Sequence, residues 1–231
     1  MRMKLSGKPP FYYAQLFLIN RERLPVGAET GEKVKYLKGL AIAAAMAAVF
    51  VVFAAGTASA TVICKTKTSP CGSLYPKGTT FNAVLTPGAT AVFKAGFMTI
   101  ECTEGDGSVE MTTAGSATET VKGLTKTLGF GGCNAEFKVL KTGSGEIHWT
   151  SKTSGSFTAE GMEVTGSALG VDCVYGGKIS SGITLNGGVS PTISINAKVP
   201  LISGGFFCAN PGSMTASLTV TDPTPLYVLG S

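Results

Sequence analysis

Charge is scarce in this 231-residue chain: only 14% of its residues are charged, and it has one histidine and one tryptophan. Arginine occurs only at Arg2, Arg21 and Arg23, so residues 61–231 lack the side chain that grips phosphates bidentately. The formal charge of +5 belongs to the first 60 residues, with eight basic against three acidic side chains, whereas residues 61–231 balance eleven lysines against eleven acids. That distribution excludes nucleic acid as a partner of the C-terminal segment. An apolar content of 44% with so few charges excludes intrinsic disorder. No phosphate loop or dinucleotide fingerprint occurs, and C-x-x-C and Cys/His pairs of zinc spacing are absent, so no cofactor or metal is implied. After residue 60 no window carries a capped stripe of 3.6-residue period, so no substantial helix is expected there.

Lys35 and Lys38 precede an apolar run from Leu40 to Gly56 that closes on Ala58-Ser59-Ala60. This is the layout of a secretory signal peptide over residues 34–60, with cleavage expected between Ala60 and Thr61. Seventeen residues of helix reach roughly 25 Å, short of the ~30 Å hydrocarbon core, which argues against a permanent anchor. Membrane contact is therefore expected only through this segment before cleavage. Residues 1–33, with Pro9, Pro10 and Pro25, form an unusual preface to an export signal. Val34 is what an internal GTG start codon would be read as, so residues 1–33 are taken as a mis-called extension or a disordered segment.

All six cysteines, Cys64, Cys71, Cys102, Cys133, Cys173 and Cys208, follow the expected cleavage site. An even count behind a signal peptide reads as three disulfides formed outside the cytoplasm. Ile100-Glu101-Cys102 is echoed by Val171-Asp172-Cys173, and Gly129-Phe130-Gly131-Gly132-Cys133 by Gly204-Gly205-Phe206-Phe207-Cys208. The echo predicts a weak duplication, with Cys102 bonded to Cys133, Cys173 to Cys208 and Cys64 to Cys71. Closing these loops constrains the unfolded chain by roughly 2.5 kcal/mol for the shortest and 3.7 to 3.8 for the others.

Glycine, serine and threonine supply 69 of residues 61–231. Between these small residues lie short runs of period two, such as Phe81, Ala83 and Leu85, Ile193, Ile195 and Ala197, or Met214, Ala216, Leu218 and Val220. Turns are expected at Thr86-Pro87-Gly88, Glu104-Gly105-Asp106-Gly107, Tyr175-Gly176-Gly177 and Asn186-Gly187-Gly188. The pattern predicts an all-β protein of many short antiparallel strands, a β-sandwich of Ig-like or jelly-roll-like form behind an N-terminal signal helix. Residues 61–231 are expected to make one secreted β domain, with two pseudo-repeats at about 76–140 and 145–223.

Chemistry is hard to find. His148 would have to serve any Ser-His-Asp site, with Asp106, Asp172 or Asp222, yet it sits in the strand-like Glu146-Ile147-His148-Trp149 and no Gly-x-Ser-x-Gly elbow exists. Glu101, Glu104, Asp106 and Glu110, or Glu160 and Glu163, could pair as hydrolytic carboxylates, and Glu104-Gly105-Asp106-Gly107 could lend oxygens to calcium, but solvated strand ends explain both. Trp149 and Tyr175, with Tyr75 and Tyr227, are candidate ligand contacts for a sugar or an apolar molecule. Leu226-Tyr227-Val228-Leu229 reads as a final strand with an exposed apolar edge.

Cys64 with Thr68-Ser69-Pro70-Cys71, Thr99-Ile100-Glu101-Cys102, Gly132-Cys133 and the ending Thr221-Asp222-Pro223-Thr224-Pro225-Leu226-Tyr227-Val228 resemble a group of secreted β-rich proteins of high-GC Gram-positive bacteria. More distantly the plan is similar to the secreted alkane-oxidation-activator-like proteins linked to surface fibres and biofilm. Ile147-His148-Trp149 stands where those groups carry Leu-Pro-Trp. The resemblance implies export and a β-rich fold. The expected function is an exported, non-enzymatic structural or adhesive surface protein, associating with itself through sheet edges or with envelope components. The alternatives are an extracellular module binding a carbohydrate or apolar small molecule, and a secreted hydrolase using its carboxylates.

Overall fold

The computed structural model describes residues 60–231; the preface at 1–33 and nearly all of the signal segment at 34–60 lie outside the described residues. The described chain is all-β, without a helix. Its strands are β1 (Thr61–Cys64), β2 (Thr80–Leu85), β3 (Ala91–Ala95), β4 (Met98–Thr113), β5 (Val121–Cys133), β6 (Glu136–Lys141) and β7 (Ser144–Ser151). They continue with β8 (Ser154–Ala168), β9 (Val171–Ile179), β10 (Ile183–Asn186), β11 (Thr192–Val199), β12 (Leu201–Gly204), β13 (Gly212–Asp222) and β14 (Tyr227–Gly230).

The sandwich expectation is corrected: eight strands close into a barrel in the order β10-β11-β13-β2-β4-β5-β7-β8, and β8 returns to β10. Closure rests on Thr184, Leu185 and Asn186 pairing with Ser156, Gly155 and Ser154. A sandwich and a barrel share the same alternation of inward and outward side chains, so period two does not separate them. What separates them is the partner exchange along the long strand β8. Its first half lies between β7 and β10, and its second half between β6 and β9. The register slips between Ala159 and Met162, where Gly161 adopts φ 74°, a conformation that costs glycine nothing.

Both cysteine-marked segments build one ring, because β13 pairs with β2 and β3. β2 and β3 follow one another in the slot between β13 and β4, interrupted by the Thr86-Pro87-Gly88 turn, where the Ala89 N–H donates to the Thr86 carbonyl at 2.8 Å. Two other expected turns are corrected. Glu104-Gly105-Asp106-Gly107 lies inside β4 and Tyr175-Gly176-Gly177 inside β9. Their glycines admit neighbours: a Cβ on Gly105 would sit 3.1 Å from the Phe130 ring.

The three disulfides are Cys64–Cys71, Cys102–Cys133 and Cys173–Cys208. Cys102 and Cys133 are direct cross-strand partners, and Cys173 ties β9 to the loop after β12. At one end of the barrel β1 and β14 form a two-stranded cap. Its Ile63, Leu226 and Val228 bury against Met111, Val121 and Val220, and the Trp149 N–H donates to Thr61 Oγ1 at 2.8 Å. The final strand therefore exists, but Val228 and Leu229 are buried, contrary to the expected exposed edge. Toward the other end a second cluster gathers Phe93, Ile100, Phe137, Val164 and Tyr175.

Candidate functional site

Between these two packed clusters the barrel is not filled. Alternation turns Phe81 and Ala83 of β2, Val109 of β4 and Leu128 of β5 into the interior, and the opposite wall adds Ile147, Phe157, Ile193 and Ile195. These side chains are only half-buried, whereas Ile100, Tyr175 and Val228 in the flanking clusters have no measurable exposure. The surface they retain faces an apolar cavity of about 170 Å³. Eight strands enclose an interior just wide enough for side chains to fill or for one small ligand.

Small residues let larger ones settle against the wall. Gly123 of β5, Gly145 of β7 and Ala159 of β8 are direct partners in one row across three strands, and all three are buried. Larger neighbours lean over that row: a Cβ on Gly123 would lie 2.6 Å from Val109 Cγ1, and one on Gly145 would overlap the Phe157 ring. Packing a small residue beside a large one shapes a barrel interior, and here the room over the glycines is taken by Val109 and Phe157, which lie back against the wall and leave the cavity before them.

Polar groups stay at the margin, where Ser108, Thr125, Thr127 and Ser144 contribute hydroxyls. Lys122 reaches the rim and its Nζ pairs with Glu146 at 3.1 Å. Among the described residues no Asp, Glu, His or Cys lines the cavity. The wall has a seam on this side. β5 bonds to β7 only over Val121–Leu124, extended by the Thr125 N–H to the Gly143 carbonyl at 2.9 Å. Beyond that point β5 pairs with β4 alone and β6 with β8 alone. Thr125, Thr127, Gly143 and Met162, which line the cavity, flank the interruption.

The residues singled out from sequence lie elsewhere. His148 points outward on β7, with Nε2 3.6 Å from Glu146 Oε2. Asp106 lies on β4 opposite Val84 and Gly129, Asp172 near the start of β9 and Asp222 at the end of β13, so no triad is assembled. Glu110 pairs with Lys126 at 3.1 Å and Glu163 with Lys141 at 2.6 Å, as solvated ion pairs. Among the described residues no three of His, Cys, Asp and Glu converge as a metal site. Glu104 and Asp106 both occupy the extended β4 rather than a loop.

Trp149 and Tyr175 are not brought together. Trp149 packs in the capped-end cluster, its ring over Gly230 and its Nε1 donating to the Lys152 carbonyl at 3.2 Å. Tyr175 is fully buried in the other cluster, edge-on to Phe93 at 4.9 Å, with its hydroxyl donating to the Ala209 carbonyl at 2.9 Å. Burial pushes its phenol above the ordinary value. Tyr75 is raised the same way, and secondarily by Asp222, while its hydroxyl donates to the Pro225 carbonyl at 2.7 Å. Neither Trp149 nor Tyr175 lines the cavity.

Compared with known proteins, the chain matches no family model, no curated protein and no solved structure. Its chemistry is therefore read from the cavity alone. The period-two runs Phe81, Ala83 and Leu85 of β2 and Ile193, Ile195 and Ala197 of β11 mark inward positions in the sequence, but alternation does not tell a filled interior from a hollow one. The signal passed over was the pairing of small residues with half-covered aromatic ones on the same face.

Proposed function

We propose that this protein is a non-enzymatic, extracytoplasmic binding protein that holds one small apolar molecule inside its barrel. The observation that carries the reading is the apolar cavity of about 170 Å³ between two well-packed clusters. A dry cavity of about 150 Å³ suffices for benzene, so the ligand is the size of a monocyclic aromatic or a short alkyl chain. At about 24 cal/mol per Å³ an empty space of 170 Å³ costs about 4 kcal/mol, which a fitting ligand would offset. That figure corresponds to a Kd of about 1 mM for contact alone. The lining is apolar except for a few marginal hydroxyls and Lys122, which Glu146 neutralises at the rim, and this favours an apolar ligand over a carbohydrate, whose hydroxyls would be left without partners. The seam beside Thr125 and Gly143 is the entrance this reading requires. Three disulfides fit an oxidising compartment, as export would supply.

Calorimetric titration with benzene tests this. Saturable binding with a Kd of about 1 mM or tighter is expected, and Ala83→Leu, which extends into the cavity, should weaken it about tenfold or more. A linear, unsaturable response to benzene in the disulfide-intact protein would remove the reading. Association through sheet edges remains a second reading on one observation. β12 pairs only with β9, which leaves its other edge open beside the exposed Ile202. Concentration-dependent sedimentation abolished by Ile202→Lys would favour it.

A further inference from the structure

The end of the barrel opposite the β1–β14 cap carries apolar side chains where turns are normally polar. β4 spans the two ends: Met98 follows the β3–β4 turn, and fifteen residues later Thr113 approaches the capped end. At about 3.3 Å per residue this separates them by roughly 50 Å. Phe97 sits on the β3–β4 turn and is 50% exposed, and Phe206 and Phe207, after β12, are 98% and 62% exposed. Phe207 neighbours both other rings edge-on, Phe97 at 6.1 Å and Phe206 at 5.7 Å.

These are not loose loops. The Cys208 N–H donates to the Gly205 carbonyl at 3.0 Å, and the Cys208 disulfide to Cys173 anchors the turn to β9. A Cβ on Gly96 would lie 3.3 Å from Ala209 Cβ and 3.4 Å from the Phe207 carbonyl oxygen, so the two turns abut. A third tip joins them. Leu169, on the β8–β9 turn, is 92% exposed and adopts φ 54°. That conformation suits glycine or asparagine and disfavours leucine, so the position sacrifices local stability to present an apolar group. Gly166, three residues earlier, lies against the Met98 side chain, which places this tip at the same end.

We infer that the Phe97, Leu169, Phe206 and Phe207 tips dock the protein on a lipid surface. Their exposed apolar area sums to about 500 Å², the size of the largest apolar patch on a typical monomer, which is often functional. Facing a second copy, it would bury about 1,000 Å² in total, below the ~1,200–2,000 Å² of a stable interface. The side chains also stand clear of the body, and Phe206 is almost wholly free of it, a shape that enters a headgroup layer rather than a flat partner. Lys94, on β3, stands three residues before Phe97, and Asp172, on β9, three residues after Leu169. This surface stands apart from the cavity, so failure of either leaves the other intact.

Flotation of the purified, disulfide-intact protein with vesicles of phosphatidylcholine, and of an equimolar mixture with phosphatidylglycerol, tests the inference. Wild type should float with both. Phe206→Ser with Phe207→Ser should lower the partition coefficient about tenfold or more. Leu169→Asn should lower it about threefold or more while maintaining or raising the thermal midpoint, because asparagine tolerates positive φ. That pairing separates docking from folding. Leu140→Ser, at an exposed apolar site on β6, should change nothing. Wild type remaining in the aqueous fraction with both vesicles would overturn the inference. So would equal flotation of the double variant, or a wild-type dimer dispersed by it, which would identify a second copy as the occupant.

Discussion

Replacing Gly145 by alanine probes the feature on which the cavity depends. Gly145 lies between Gly123 and Ala159 in the row of small residues, and its added methyl would overlap the Phe157 ring and approach the Thr158 carbonyl oxygen to 2.6 Å. Glycine to alanine within a strand is otherwise favourable by about 0.5–1 kcal/mol, through reduced freedom of the unfolded chain. Overpacking opposes this at about 1–3 kcal/mol, because the carbonyl is backbone and cannot swing aside. Phe157 can yield toward the cavity, which limits the cost. The expected balance is a loss of about 1–2 kcal/mol, or a fall in thermal midpoint of roughly 2–8 °C for a domain of this size. Benzene affinity should fall in parallel, since the displaced ring occupies the ligand's space. Gly129→Ala is the matched control, because its Cβ meets only Asp106 Oδ1, at 3.4 Å, and it should leave stability unchanged or slightly raised. Calorimetric unfolding of both variants decides the matter. If Gly145→Ala stabilises as the control does, Phe157 does not lie over the row and the account of the cavity is wrong.

Two further outcomes follow from the bridges and the buried phenols. Cys102→Ser with Cys133→Ser releases a loop of 32 residues and should lower unfolding free energy by up to about 3.7 kcal/mol, read from urea midpoints under oxidising conditions. Tyr75 and Tyr175 have folded pKa values above those of the unfolded chain, so their neutral forms favour the fold. Stability should therefore be level in this respect below about pH 10 and decline as pH rises beyond it toward the folded values. Denaturation midpoints across that range should show the decline, and Tyr175→Phe should reduce its slope.

Two of the three bridges were legible from local context, since Glu101-Cys102 is echoed by Asp172-Cys173 and Gly132-Cys133 by the Gly-rich approach to Cys208, and Cys64–Cys71 followed as the remaining pair. Strand content was legible for the same local reason, since alternation such as Ile193, Ile195 and Ala197 needs only two-residue bookkeeping. Glycine misled, because a glycine in a turn and a glycine beneath a phenyl ring read alike in one dimension. Gly105 and Gly176 were taken for turns and belong to strands. Trp149 and Tyr175 are of the residue types that stack on ligands, whereas the cavity belongs to commoner residues such as Val109, Ile147 and Phe157.

The sequence by itself determined an all-β chain with three bridges, a neutral segment after residue 60 and no phosphate-gripping arginine in it, because composition, alternation and cysteine context are local properties. Only the tertiary structure decided that the sheet closes. That outcome depends on β8 exchanging partners at Gly161 and on β10 returning to pair with Gly155, contacts between residues far apart along the chain. Closure is also what encloses an apolar chamber, while the β9–β12 pairing and the Cys173–Cys208 bridge bring the Phe206–Phe207 turn against the β3–β4 turn.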